Sequence, residues 1–499
     1  MRVLSKSKLL AFRQCPKRLW LEVHRPDLRE DSSATQASFT VGHQVGDIAR
    51  QVYDPKGKGA LIDFKVGDFE AAFARTQALL QANQPIFEAG FRAEGALAFA
   101  DVMLPVKRGG KRAWRMVEVK SSTSVKDYHR DDAAVQALLA RSSGVPLAGI
   151  ALAHIDSSWV YTGGGDYSGL LVENDLTDEA FSRGTEVRSW IEESHGIVAK
   201  KKEPRVSTGE QCSAPYECGF FSYCQGQEPQ AEQPLHWLPG AQSKGLKAHV
   251  EAHGVCELRD VPDALLNDKQ RRVKAATLSG KTYFDQKSAL QELAQYKLPA
   301  FFMDFETIQF AVPIWKGTRP YQQIPFQFSV HRLARTGKLE QQAFLDLSGG
   351  DPSKAFAEAL ISACGERGPI FVYNAGFETA RIRDLAQRFP RLSEALLVLN
   401  ERVVDLLPVA RDHYYHPSQQ GSWSIKAVLP ALCPDLNYGD LVGVQDGGMA
   451  MEAFLEAISP QTSAARKAEI EHQLLAYCAL DTYAMVRLWA AFSDSSLKI

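Results

Sequence analysis

The chain has 499 residues, 45% hydrophobic and 23% charged, with a formal net charge of −2 at pH 7. These are ordinary globular values, and the length suits about three domains of roughly 150 residues. The near-neutral balance excludes bulk attraction to nucleic acid, so any basic footprint is local. No run approaches the ~18 apolar residues of a membrane span, and the charged start MRVLSKSKLLAFRQCPKRLW lacks the apolar core of a signal peptide. A cytoplasmic, reducing location is expected, with the eight cysteines free of structural disulfides.

Residues 1–228 mix helix and strand patterns and end in the polar GQEPQAEQP. The run GALAFADVMLPVKRGGKRAWRMVEVKSS predicts two strands joined by a basic hairpin at Arg108-Gly109-Gly110. Asp101 lies on the first strand; Glu118 and Lys120, two apart on the second, share a face. Two acids and a lysine at adjacent strand ends suit one or two divalent ions and a hydroxide attacking phosphate. The following helix, DDAAVQALLARSSGV, offers Gln136 towards the same pocket, and His129 just before it is expected on the solvated surface. Asp followed by Glu-x-Lys is common on exposed strands, so the cysteines matter. Cys212, Cys218 and Cys224 are evenly spaced in QCSAPYECGFFSYC, and Cys15 stands far upstream in RQCPKRLW. Four thiolates suit either Zn²⁺ or an iron–sulfur cluster. Cys256, Cys364, Cys433 and Cys478 lack such spacing and are expected in the core.

Taken together, Asp101, Glu118, Lys120 and Gln136 bracketed by these cysteines resemble the RecB-like PD-(D/E)XK nucleases with an iron–sulfur staple, including the CRISPR-associated members. The resemblance implies a restriction-endonuclease-like domain, with Asp101 and Glu118 as metal ligands and Cys15, Cys212, Cys218 and Cys224 holding a [4Fe–4S] cluster. Many relatives place a metal-binding histidine four residues after a helix glycine. Here Gly46 follows Gly42 at that spacing, and His43 is expected to point elsewhere.

Residues 229–296 read as short helices with turns at Pro239-Gly240 and His253-Gly254. They form either a spacer or a helix-hairpin-helix-like element whose amides grip phosphate.

From 297 to 499, apolar strands alternate with amphipathic helices, an α/β pattern. In LPAFFMDFETI, Asp304 and Glu306 lie on one face of a strand. In GPIFVYNAGFETARIRDLA, Asn374 ends a strand and Glu378 falls in the first turn of a helix, where the dipole tolerates an acid. Next come Asp405 on a short strand, then Ser422, Ser424 and Lys426 in GSWSIKAVL, available for phosphate contact. Tyr477 and Asp481, four apart in YCALDTYAMVRLW, share a helix face. Clustered acids without a basic partner suit divalent metal, as in two-ion phosphoryl transfer. In this order the blocks resemble the DnaQ-like (DEDD) 3′–5′ exonucleases of the Tyr-x-x-x-Asp subgroup. That resemblance implies an RNase H-like fold, Asp304, Glu306 and Asp481 as ligands for Mg²⁺ or Mn²⁺, and Tyr477 positioning the attacking water. Where that family carries aspartate, this chain has Glu378, one methylene longer, which is expected to substitute.

The expected protein is therefore an α/β multidomain chain: a PD-(D/E)XK domain, a helical middle and an RNase H-like exonuclease domain. The arrangement also resembles a two-domain bacterial family of unknown function. The expected partner is DNA, at ends or single-stranded. Two alternatives stay open: trimming of RNA, and an iron–sulfur DNA-binding module with both sites degenerate.

Overall fold

The computed structural model describes residues 2–63, 69–240 and 242–493. The chain divides into two compact units, Met1–Pro229 with Phe310–Gln322, and Gln230–Gln309 with Gln323–Ile499. It is an α/β multidomain protein with mixed sheets.

The first unit opens with β1 (Leu4–Ser5), α1 (Lys6–Gln14), α2 (Pro16–His24) and α3 (Ser33–Tyr53). Pro16 stands at the first position of α2, where its missing N–H costs nothing. Then come β2 (Ala60–Leu61), α4 (Phe69–Leu79), β3 (Ile86–Ala93), β4 (Ala96–Arg108) and β5 (Lys111–Lys120). Gly109 and Gly110 both have positive φ, as a two-residue hairpin turn requires. The expected hairpin is thus present. Next are α5 (Asp127–Ser142), β6 (Leu147–Ile155), β7 (Leu171–Asp175), α6 (Thr177–Ser182), α7 (Gly184–Val198) and α8 (Phe221–Gly226). The sheet order is β2-β3-β4-β5-β6-β7, with β1 added beside β4. β3, β4 and β5 pair antiparallel, whereas β5 and β6 pair parallel across the α5 crossover. α5 is buried almost all round, and Ala133, Ala137 and Ala140 let it sit close to Trp114, Met116 and Leu152. The segment 310–322 packs Ala311, Val312 and Tyr321 among Val45, Ile48, Ile155 and Leu170.

In the second unit, α9 (Lys244–His253) and α10 (Asp268–Ser279) end at Gly254 and Gly280. Both glycines are left-handed C-caps. Val273 and Ala276 of α10 share a core with Phe302 and Phe371, so this helical stretch belongs to the second unit. Further along lie β8 (Tyr283–Phe284), α11 (Gln286–Leu293), β9 (Ala300–Ile308), β10 (Ile324–Leu333), β11 (Leu339–Leu345) and α12 (Ser353–Cys364). These lead to β12 (Ile370–Val372), α13 (Gly376–Arg388), α14 (Ser393–Glu401), β13 (Val403–Asp405), α15 (Leu406–His413) and β14 (Tyr414–Tyr415). The last elements are α16 (Ile425–Leu432), α17 (Gly447–Ile458) and α18 (Ala464–Phe492).

Five strands form one sheet in the order β11-β10-β9-β12-β13. β9, β10 and β11 pair antiparallel; β12 and β13 run parallel to β9. β9 is central and covered on both faces, which is why its sequence is a near-continuous apolar run. Phe301, Met303 and Phe305 face one core with Phe356 and Leu360. Phe302 faces the other, with Met485 and Trp489 of α18. By strand alternation Asp304 and Glu306 lie on the α18 side.

No helix among the described residues is long and apolar enough to cross a membrane.

Candidate functional site

Two sites arise, one in each unit. In the second unit, α18 packs across β9 and β10. Polar contacts set its register: Gln327 Nε2 donates to the Leu474 carbonyl at 2.7 Å, and Thr482 Oγ1 lies 2.8 Å from both Ser329 Oγ and His331 Nδ1. That register places Asp481 beside the β9 acids. One carboxylate oxygen each from Asp304, Glu306 and Asp481 lie within 4.8 Å of one another, a spacing fit for a metal ion.

The electrostatics agree. Burial, then Asp481, drives the Glu306 carboxyl up to about 8. Asp304 is raised well above the carboxylate range by burial and by Asp481, Glu306 and Glu378. Asp481 reaches about 6 because burial is opposed by Tyr438, Lys426 and Tyr477. Buried like charges are costly unless a cation neutralises them. Oxygen-only donors of this kind suit hard divalent ions such as Mg²⁺ or Mn²⁺.

Glu378 sits in the first turn of α13, as expected, and is only 3% exposed. It stands outside the 4.8 Å group, although Asp304 feels its charge. Its Oε2 is buried without a hydrogen-bond partner, and burial raises its carboxyl to about 8. Asn374, just before α13, takes a left-handed φ of 79°, strained for a side-chain-bearing residue. Asp405 holds this turn, accepting from the Asn374 and Ala375 amides at 2.9 and 3.0 Å while capping α15 through Leu407 N–H. The Asp405 of the short strand thus positions the Glu378 turn.

Sequence reasoning missed Tyr438. Its hydroxyl donates to Asp481 Oδ1 at 2.6 Å, and its ring lies 6.3 Å from that of Tyr477. Lys426 Nζ stands 5.2 Å from both ring centroids and donates to the Gln445 carbonyl at 2.8 Å. No local spacing announces Tyr438, which lies in a single 3-10 turn 43 residues before its partner. Residues that orient a metal's ligands typically contribute 10–100-fold to its affinity. Tyr438→Phe keeps the ring and removes the hydroxyl, so Mn²⁺ affinity at this centre is expected to fall roughly tenfold. Calorimetric titration checks this; unchanged affinity would remove Tyr438 from the site.

Ser422 and Ser424 are exposed at the start of α16. Nearby, an open cleft of about 860 Å³ is lined by Lys269, Tyr373, Asn374, Arg411, Trp423 and Ser424.

With the geometry in view, one family match bears on this region. Residues 301–424 match the family described as Domain of unknown function (DUF2779). No curated protein matches the chain. The matched span carries Asp304, Glu306 and Glu378 but stops short of Tyr438, Tyr477 and Asp481.

In the first unit, Asp101, Glu118, Lys120 and Gln136 do converge. Two further residues join them, Lys6 from α1 and Asp132 from α5. Lys6 Nζ bridges Glu118 Oε1 at 2.9 Å and Asp132 Oδ1 at 2.8 Å. Lys120 Nζ bridges Glu118 Oε1 at 2.7 Å and Asp132 Oδ2 at 2.6 Å. Gln136 Nε2 donates to Glu118 Oε2 and Asp132 Oδ1, and Asp101 Oδ2 accepts from the Val119 amide at 2.7 Å. Every carboxylate oxygen of Glu118 and Asp132 therefore has at least one partner, and two ammoniums already balance the two charges, so the residues as arranged do not suit a divalent ion. Asp132, four residues before Gln136, was readable from helix spacing; Lys6, more than a hundred residues from its partners, was not.

Two expectations need correcting. His129 is buried, not solvated, and its Nδ1 accepts from the Lys126 amide at the start of α5. Burial, then Lys120, lowers its pKa to about 4. Cys256 is exposed rather than in the core: it lies just past the end of α9, where the backbone pairs with the Gln233–Leu235 segment and its side chain is left on the surface. Cys364, Cys433 and Cys478 are buried, and Cys478 Sγ lies 4.0 Å from Asp304 Oδ2. His43 is exposed on α3.

The four spaced cysteines come together. Gln14 Nε2 donates to the carbonyls of Gln211 and Tyr216 at 2.6 and 2.7 Å, tying the α1–α2 junction at Cys15 to the Cys212 loop. The Cys218 amide donates to the Cys212 carbonyl, and Leu21, Cys218 and Phe220 share a small core. Cys218 and Cys224 are each raised by burial and then by the neighbouring thiols, Cys15 included. Cys212 and Cys218 on the loop, Cys224 on α8 and Cys15 at the α1–α2 junction thus bring together the donor type of a four-cysteine site, without the 4.8 Å grouping seen at Asp304, Glu306 and Asp481.

Proposed function

We propose that this chain is a metal-dependent nuclease whose second unit removes nucleotides from DNA ends, 3′ to 5′, by phosphodiester hydrolysis. The observation that carries the proposal is the meeting of Asp304 and Glu306, from the central strand, with Asp481 from the last helix. The strand order β11-β10-β9-β12-β13, three antiparallel then two parallel, supports an RNase H-like, DnaQ-type reading. Divalent cations held by Asp304, Glu306 and Asp481 would stabilise charge developing on the phosphate and activate water.

The remaining work falls to this chain's own side chains. Burial, then Asp481, Glu306 and Asp304, pushes the Tyr477 phenol far up. Its hydroxyl therefore stays protonated, hydrogen-bonds Asp481 and orients an attacking water without acting as a base. Tyr438 holds Asp481 in place, and Lys426 adds positive charge beside the reacting phosphate. Lys269 and Arg411 supply cations, and the half-buried Tyr373 an aromatic ring, in a cleft suited to a single strand.

In the first unit, the order α1, antiparallel β3-β4-β5, α5, parallel β6 supports a PD-(D/E)XK-type core. Its Cys15, Cys212, Cys218 and Cys224 are proposed to hold a [4Fe–4S] cluster, and the unit to clamp nucleic acid.

The test uses anaerobically purified protein with Mg²⁺ or Mn²⁺ on end-labelled single-stranded DNA, duplex DNA and RNA. Nucleotide release from 3′ ends is expected, falling about 10³-fold or more in Asp304→Ala. Degradation unchanged in that variant would overturn the assignment, and preference for RNA would redirect the substrate.

A further inference from the structure

The first-unit pocket has the acids expected of a metal centre, yet it already contains a cation that belongs to the chain. We propose that Lys6 is a built-in counter-ion that holds this pocket shut to divalent metal. This role of Lys6 does not depend on the nuclease reading of the second unit.

Lys6 is the first residue of α1, and it reaches the pocket from outside the β4–β5–α5 core that carries the acids. Its side chain is 19% exposed, whereas those of Glu118 and Asp132 are 2% and 3% exposed. It therefore keeps some contact with solvent, as Lys120 does at 23%, while both acids are sealed. Its ammonium contacts one oxygen of each acid at hydrogen-bond distance. Burial would lower the Lys6 pKa, but Asp132 and then Glu118 outweigh it, so the ammonium stays charged. Lys120 makes the second bridge between the same two acids. Two ammoniums and two carboxylates thus close a neutral ring, with Gln136 donating to the remaining oxygen, Glu118 Oε2, and also to Asp132 Oδ1.

A divalent ion entering this ring meets two fixed positive charges and carboxylate oxygens that already accept from Lys6, Lys120 or Gln136. Like charges at such separation in a poorly hydrated pocket repel strongly. Lys120 alone leaves a different pocket. Without Lys6, Asp132 Oδ1 loses its ion pair, and Glu118 Oε1 keeps only one ammonium. Asp101 then stands beside an under-compensated Glu118, and carboxylate oxygens are the donors that hard cations favour. Lys6 is the residue that decides between these states.

The test reads Mn²⁺ binding by electron paramagnetic resonance on the full chain, purified anaerobically. Asp304→Asn with Asp481→Asn removes the second unit's acidic centre, so only the first-unit pocket is read, and no nuclease activity is needed. This parent is expected to bind no Mn²⁺ tighter than about 1 mM. Adding Lys6→Ala, or the milder Lys6→Gln, is expected to create one site at least roughly tenfold tighter. That site should vanish with Glu118→Gln, and Lys6→Arg should not create it. The proposal is overturned if the parent already binds a Mn²⁺ that Glu118→Gln abolishes. It is equally overturned if folded Lys6→Ala and Lys6→Gln proteins, judged by circular dichroism, both gain no site. The parent measurement stands even where a Lys6 variant fails to fold.

Discussion

Metal-free protein is expected to unfold at a lower temperature at pH 8 than at pH 5, with Mg²⁺ reversing much of the loss. The cause is the acidic centre of the second unit. Unfolded carboxyl groups titrate near 4. In the folded chain, burial raises Asp481 to about 6, and Glu306 and Glu378 to about 8. These groups hold protons in the folded state that the unfolded state releases. Their stabilising contribution is complete below pH ~4 and is lost as pH rises through about 6 and then 8. The loss is on the order of a few kcal/mol, since a tenfold change in proton affinity is worth about 1.4 kcal/mol and the acids influence one another's titration. For a domain of this size that corresponds to roughly 5–10 °C in melting temperature. A cation bound only by the folded state offsets it by mass action. Glu306→Gln removes one titrating group and is expected to flatten the pH dependence while weakening the Mg²⁺ response. Calorimetry at pH 5, 6.5 and 8, with and without Mg²⁺, measures all of this. A melting temperature that responds identically in wild type and Glu306→Gln would rule out the account.

On the proposed [4Fe–4S] assignment, Cys15→Ala is expected to strip the iron–sulfur chromophore and destabilise the first unit by about 3–5 kcal/mol. Cys15 and Cys212 are nearly two hundred residues apart, so a bond set spanning them closes a very long loop. Crosslinks over loops of that length remove about 5 kcal/mol of unfolded-chain entropy in the chain-entropy model. Other interactions hold the same junction. Gln14 bonds to the Gln211 and Tyr216 carbonyls, and Leu21 packs on Phe220. These leave a partly folded unit in the variant, so loss of colour should accompany a lower urea midpoint rather than complete unfolding. Iron and sulfide analysis gives the first readout and urea denaturation the second. Stoichiometric zinc with no iron in wild type, or full iron retention in Cys15→Ala, would sink the cluster assignment.

Much of both sites was legible because their residues obey short-range periodicities. Asp304 and Glu306 share a face because strand side chains alternate, and β9 is a strand. Tyr477 and Asp481 share a face because helix side chains four apart do, and α18 is a helix. The Gly109-Gly110 hairpin and the place of Glu378 in the first turn of α13 follow the same local rules. What stayed hidden involved residues whose partners lie far along the chain or whose neighbours were not periodic. His129 is buried rather than solvated because it caps the start of α5 inside the unit, which no apolar pattern around it signals.

The sequence by itself determined which acids could meet: their types, spacings and strand or helix settings. Only the tertiary structure decided how their charges are balanced. In the second unit the packing of α18 on β9 and β10 leaves Asp304, Glu306 and Asp481 grouped with raised pKa values, with Tyr438 fixed on Asp481 and Glu378 outside the group. In the first unit the placing of α1 delivers Lys6 between Glu118 and Asp132. The physical reason is that local periodicity aims a side chain at a face. Whether a carboxylate there meets another carboxylate or an ammonium depends on which distant element packs against that face.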